Sequence, residues 1–186
     1  MENRRQLILK EAAQIIAEDG MDAFSLSILA GKVGITKATL YNYFSSKDEI
    51  FETIIREGHR TFMKNGFRLN LSGDVSSILL AAASHWVEIF NSEESFLWLR
   101  IIFSMHLTDS LCHDEYRSIT LMLSSQAEVV ISSFSLPPSY TATLTRLFSS
   151  LLLVSLERTL EGADESLEED VRGTAELIEC IREKRK

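Results

Sequence analysis

The chain has 186 residues, 45% of them hydrophobic and 25% charged, which is ordinary for one moderate globular domain or a small domain joined to a larger one. It contains no run of 18 or more apolar residues and no basic-then-apolar leader, so neither a membrane-spanning helix nor a secretory signal is expected, and a cytoplasmic protein is. The net charge of −8 argues at first against a nucleic-acid partner.

Splitting the chain changes that reading. Residues 1–68 carry 10 Lys+Arg against 9 Asp+Glu, and the remainder 9 against 18. The acidic excess lies wholly outside the amino-terminal third, and a second, acidic part would be kept off DNA. Two prolines and eight glycines leave few breaks, which favours long helices and an all-α fold. Cys112 and Cys180 read as free thiols rather than a disulfide.

In chain order, the first helix is expected from Arg4 to Asp19, with Ile8, Ala12, Ile15 and Ile16 on its buried side. Gly20 stops it. Arg4 and Arg5 sit ahead of that face, either as phosphate contacts or as a solvated charge pair. Phe24 precedes the Ser25 cap and staples the turn. Leu26, Leu29, Ala30 and Val33 recur at three- and four-residue steps, predicting a short helix that Gly34 ends in the left-handed conformation.

Thr36 caps a second short helix. Leu40 and Phe44 point from it towards a core shared with Ile35, leaving Lys37, Ala38, Thr39, Tyr41, Asn42 and Tyr43 for other faces. No acidic side chain occurs between Gly34 and Lys47. A helix bearing basic, amide, hydroxyl and aromatic groups without carboxylates suits a nucleic-acid groove. Ser46-Lys47-Asp48-Glu49 has the spacing of a capping box, so another helix begins at Lys47, with Ile50, Phe51, Ile54, Ile55, His59, Phe62 and Met63 on one side.

The run Ala30-x-x-x-Gly34-Ile35-Thr36, followed by Thr39-Leu40-Tyr41-x-Tyr43-Phe44-x-x-Lys47-Asp48-Glu49-Ile50-Phe51, resembles the TetR family of bacterial transcriptional regulators. The likeness extends over about the first 60 residues. The resemblance implies a three-helix DNA-binding domain, residues 1–63, with its helix-turn-helix at about 25–44. A fourth helix would link it to an α-helical ligand-binding and dimerisation domain, 64–186, giving about nine helices. The expected partners are a double-stranded DNA operator, a second copy of the chain, and a small apolar or amphipathic effector. Ser25, Ser27, Thr36, Lys37, Thr39, Tyr41, Asn42, Tyr43 and Lys47 are the candidate DNA contacts. Lys37 and Asn42 suit base edges; Thr36, Tyr41 and Lys47, with Ser25 and Ser27, suit phosphates.

Asn65 to Gly73 is the candidate hinge. Beyond it, helices are expected over Ser76–Phe90, Phe96–Leu107, Glu115–Phe134, Ser139–Glu161 and Ser166–Lys184, with Thr108–Asp114 as a polar turn. The stripe Leu144, Leu147/Phe148, Leu151, Val154, Arg158 and the stripe carrying Ile178 and Ile181 suggest a four-helix seam between two copies. Leu144, Phe148, Leu151, Val154, Ile178 and Ile181 are the interface candidates.

Aromatic residues crowd the chain from Phe62 to Phe148. Bundles line small-molecule pockets with such groups. His59, Phe62, Trp86, Phe90, Phe103, His106 and Phe148 are the effector-contact candidates, with His85, Arg100 and Glu88 as further polar anchors. His106, Asp109, Cys112, His113 and Asp114 lie close together, but their spacing fits no standard metal-ligand pattern, and no metal or cofactor is expected. No phosphate loop, nucleophile elbow or His-Glu-x-x-His appears, so the chain does not read as an enzyme. The rival reading is a helical sensor or carrier of small molecules that no longer binds DNA.

Overall fold

The computed structural model describes residues 3–64, 71–162 and 167–184. Among them are nine α-helices and no strand: α1 (Arg4–Asp19), α2 (Leu26–Val33), α3 (Lys37–Tyr41), α4 (Lys47–Lys64), α5 (Val75–Phe90), α6 (Glu93–Met105), α7 (Ser110–Ser132), α8 (Pro138–Glu161) and α9 (Leu167–Glu183). The all-α expectation is borne out. Phe67, most of the hinge and the start of the last predicted helix lie outside the described residues.

The chain forms two compact units. The first takes Met1–Lys64 together with Glu93–Tyr116; the second takes Asn65–Ser92 and Arg117–Lys186. Packing therefore does not follow a single cut near residue 64, because α6 and the opening turns of α7 belong with the amino-terminal helices.

In the first unit α1 packs on α2, α4 and α6. Asn3 caps α1 and Gln6 reaches back to it, closing a capping box. Ile8, Ala12, Ile15 and Ile16 are buried as their spacing predicts. Gly20 ends the helix at φ 84°, in the region open to glycine. From α6, Trp98 enters the core against α4. Its indole N–H donates to the Ile55 carbonyl at 3.0 Å, and its ring centroid lies 5.2 Å from that of Phe62.

In the second unit α5 packs on α8 and α9, which also pack on each other. Leu144, Phe148, Leu152, Leu156 and Leu160 are all buried on α8. They recur every four residues, one row of a helix surface. On α9 the matching core residues are Val171, Thr174, Ala175 and Ile178.

Two helix starts differ from expectation by three residues or more. α6 starts three residues early, at Glu93, and α7 starts at Ser110 rather than Glu115. For α7 the cause is local: the Asp109 carboxylate accepts the Cys112 N–H at 2.9 Å, capping the helix inside the predicted turn.

Three interface candidates are corrected by burial. Leu144, Phe148 and Ile178 are at most 2% exposed within the chain itself, so they form the core of the second unit. The sequence stripe mixed two adjacent rows of α8. The outward row is Leu147, Leu151 and Val154, of which Leu147 and Val154 are about two-fifths exposed.

Candidate nucleic-acid interface

The helix-turn-helix is built from three local devices. Ser25 Oγ accepts the Ile28 N–H at 3.2 Å and starts α2. Gly34 takes the left-handed conformation, φ 72° and ψ 35°, and ends it. The Ile35 N–H then donates to the Ala30 carbonyl at 3.0 Å, sharpening the turn. Thr36 Oγ1 accepts the Thr39 N–H at 3.1 Å and starts α3. Leu40 and Phe44 are buried, which anchors one side of α3 and fixes what the other side presents.

That other side is Thr36, Lys37, Ala38, Tyr41, Asn42 and Tyr43, all exposed. Tyr41 and Tyr43 show 50% and 36% of their surfaces, large values for aromatic side chains. Ser27 is exposed on α2, as is Lys32, which the sequence reading left unassigned. Two candidates are partly used internally. Ser25 spends its hydroxyl on the cap, and half-buried Thr39 shares a 2.9 Å hydroxyl contact with Thr36.

Lys47 is half-buried; its Nζ donates to the Met21 carbonyl at 2.8 Å and lies 5.4 Å from the Phe24 ring centroid. Arg5 is also engaged, 2.9 Å from Glu57 and 5.0 Å from the Phe44 centroid. Arg5 is thus paired, with its side chain still 38% exposed. Its neighbour Arg4 is exposed. The capping box at α4 closes differently from its pattern. Ser46 Oγ accepts the Glu49 N–H at 3.0 Å, but the Glu49 carboxylate turns to Ser45, accepting both its N–H and its hydroxyl at 2.6 Å. Those hydrogen bonds hold the Glu49 carboxyl below its ordinary value.

The effector candidates divide between the two units. In the first unit His59 Nδ1 lies 2.7 Å from the Glu115 carboxylate. His106 stacks on Tyr116 at 4.2 Å, and Phe103 meets the same ring edge-on at 5.1 Å. Phe62 is buried beside Trp98. In the second unit Trp86, Phe90 and Phe148 are buried, the first two 5.4 Å apart. Of the added polar anchors, His85 and Arg100 are half-buried and Glu88 is exposed. A groove of about 400 Å³ between α5 and α9 is lined by Asp74, Ser76, Leu80, Arg172, Ala175, Glu176 and Glu179, and includes none of these candidates.

The residues around Cys112 hold one another. His106 Nδ1 lies 2.8 Å from the Phe103 carbonyl, and His113 Nδ1 lies 3.3 Å from the His106 carbonyl. Burial and then the neighbouring Asp109 carboxylate push the Cys112 thiol up to about 12. It stays protonated and is a poor nucleophile or ligand.

Comparison with known proteins agrees with this geometry. Residues 8–54 match the model of bacterial regulatory proteins, tetR family. The nucleoid occlusion factors SlmA of Cronobacter sakazakii and Yersinia enterocolitica are each 39% identical over 54 residues, 28% of this chain and 27% of theirs. The chain thus matches about a quarter of the length of these curated relatives. Among solved structures, a transcriptional regulator from Rhodococcus sp. Rha1 is similar with a TM-score of 0.62 and 18% identity, over 94% of this chain and 95% of its own. AibR, solved in complex with isovaleryl coenzyme A and operator DNA, gives 0.65 and 18%, over 94% and 97%. At such identity these structures speak for the fold.

Proposed function

We propose that the chain, whose residues 8–54 match the tetR family of bacterial regulatory proteins, is a ligand-responsive transcriptional repressor of that family that binds a pseudo-palindromic operator as a homodimer. The observation that carries this reading is the exposed, carboxylate-free side of α3, held out by its buried Leu40 and Phe44. Lys37 and Asn42 are exposed there, and an amine donor to guanine or an amide pair to adenine suits them to base edges. Thr36, Tyr41, Tyr43 and Ser27 surround them as backbone contacts, with Lys47 beside them. Ser25 and Thr39 act mainly by ordering the two helices.

A dimer would use the outward row of α8, Leu147, Leu151 and Val154, with half-buried Ile181 and exposed Leu177 of α9. Residues 64–186 carry dimerisation and the binding of a small apolar or amphipathic effector, in the cytoplasm. The acidic balance of that part keeps it from competing for DNA. An effector that prefers a splayed dimer lowers DNA affinity by its differential affinity for that state. No enzymatic step is assigned to the chain. AibR's complex with both an acyl coenzyme A and operator DNA supports the pairing of functions in this fold.

The test is a gel shift with the DNA upstream of the protein's own gene. The expected result is a retarded complex holding two chains per duplex. A dimer that retards neither this DNA nor any other duplex would favour the sensor-or-carrier reading.

A further inference from the structure

Arg5 and Lys47, both in the first unit, sit over aromatic rings, and of these two Arg5 alone has a carboxylate partner among the described residues. Arg5, over Phe44, is paired with Glu57. Lys47, over Phe24, has no carboxylate partner among the described residues; its Nζ donates instead to the Met21 carbonyl. An ammonium carries three donors, so this bond leaves two N–H groups and the full charge unspent. Lysine is otherwise a point charge on a flexible stem, aimed only by what it touches.

What it touches here is rigid. Phe24 is 1% exposed. Met21 lies in the turn that Gly20 opens at φ 84°, and Ser25 closes that turn by capping α2. The ring face attracts a cation within about 6 Å of its centroid, and 5.4 Å meets that condition.

We propose that the Phe24 ring and the Met21 carbonyl are positioning groups that hold Lys47 ready for a backbone phosphate before DNA arrives. The α1–α2 link thereby acts on DNA affinity without touching DNA. The proposal rests on the DNA-binding reading above.

A double-mutant cycle on the full chain tests it, with a mixed-sequence duplex and affinity followed against salt. Lys47→Met is expected to weaken binding and to shallow the salt slope by about 0.9 per subunit. Phe24→Leu is expected to weaken binding about 2- to 5-fold, the size of one exposed cation–π contact, with the slope unchanged. In the Lys47→Met background Phe24→Leu should then change nothing. Thermal melting checks that each variant folds, and Phe24→Met replaces the leucine variant if that one does not.

Equal losses from Phe24→Leu in both backgrounds, or none in either, would overturn the positioning role. An unchanged slope in Lys47→Met would make Lys47 an internal strut and overturn it too. A wild-type chain that fails to bind the duplex even at low salt removes the DNA-binding reading, and this proposal with it.

Discussion

Replacing Gly58 by alanine is expected to destabilise the chain by about 2 kcal/mol, although the same change inside most helices is stabilising. In an exposed helix interior alanine gains up to about 1 kcal/mol over glycine. At Gly58 of α4 the added Cβ would fall deep inside the contact distance of Trp98 Cδ1 and Cγ. Those atoms lie at the root of a rigid ring, not at the tip of a flexible side chain. The ring is also pinned, by its bond to the Ile55 carbonyl at 3.0 Å and by Phe62 at 5.2 Å. Overpacking of this kind costs about 1–3 kcal/mol and occasionally more, enough to outweigh the propensity gain.

Trp98→Ala alone should cost about 3–5 kcal/mol. With the ring gone, Gly58→Ala should become neutral or stabilising by up to about 1 kcal/mol. Urea unfolding midpoints of the four proteins of this cycle decide the matter. A Gly58→Ala variant more stable than wild type would show that Trp98 yields, and that α6 does not grip α4 as described.

The second large effect is expected in recognition, not stability. Lys37→Ala and Asn42→Ala should each reduce the preference for operator over mixed-sequence DNA by about 1–3 kcal/mol, or roughly 5- to 150-fold. Both side chains are exposed, and α3 is started by Thr36 and anchored by Leu40, neither of which is altered. Asn42 ends α3 through its backbone N–H, so alanine there keeps the helix terminus. Melting temperatures should stay within a few degrees of wild type. Lys37→Ala should also lower mixed-sequence affinity by the loss of one charge, and Asn42→Ala should leave it unchanged. Competition binding with the two kinds of duplex measures the ratio; an unchanged ratio in both variants would take base reading away from α3.

What could be read from the sequence was mostly local chemistry. The limits of α1 follow from its apolar period and from Gly20. The helix-turn-helix follows from Ser25, Gly34 and Thr36, each of which acts on backbone groups within four residues of itself. Contacts between distant segments were not legible. Nothing near Lys47 in the chain says that its ammonium goes to Met21, 26 residues earlier. Gly58 inside an apolar helical pattern was the available hint of a close approach, but its partner on α6 is 40 residues away.

The outer helices failed for a related reason. Leu147 and Phe148 are adjacent in sequence and fall on two rows of α8, one outward and one buried. Periodicity shows that such rows exist. Only the neighbours, α5 and α9, decide which row is core. Aromatic content marks a core as readily as a pocket, so it does not single out which of the effector candidates line one.

Selection of binding sites from a pool of random duplexes tests the central claim most directly. Two inverted half-sites about one helical turn apart, centre to centre, are expected to be enriched, with the enrichment lost in Lys37→Ala and Asn42→Ala. A pool that stays unenriched while the folded protein binds, or an enriched sequence without an inverted repeat, would contradict that claim.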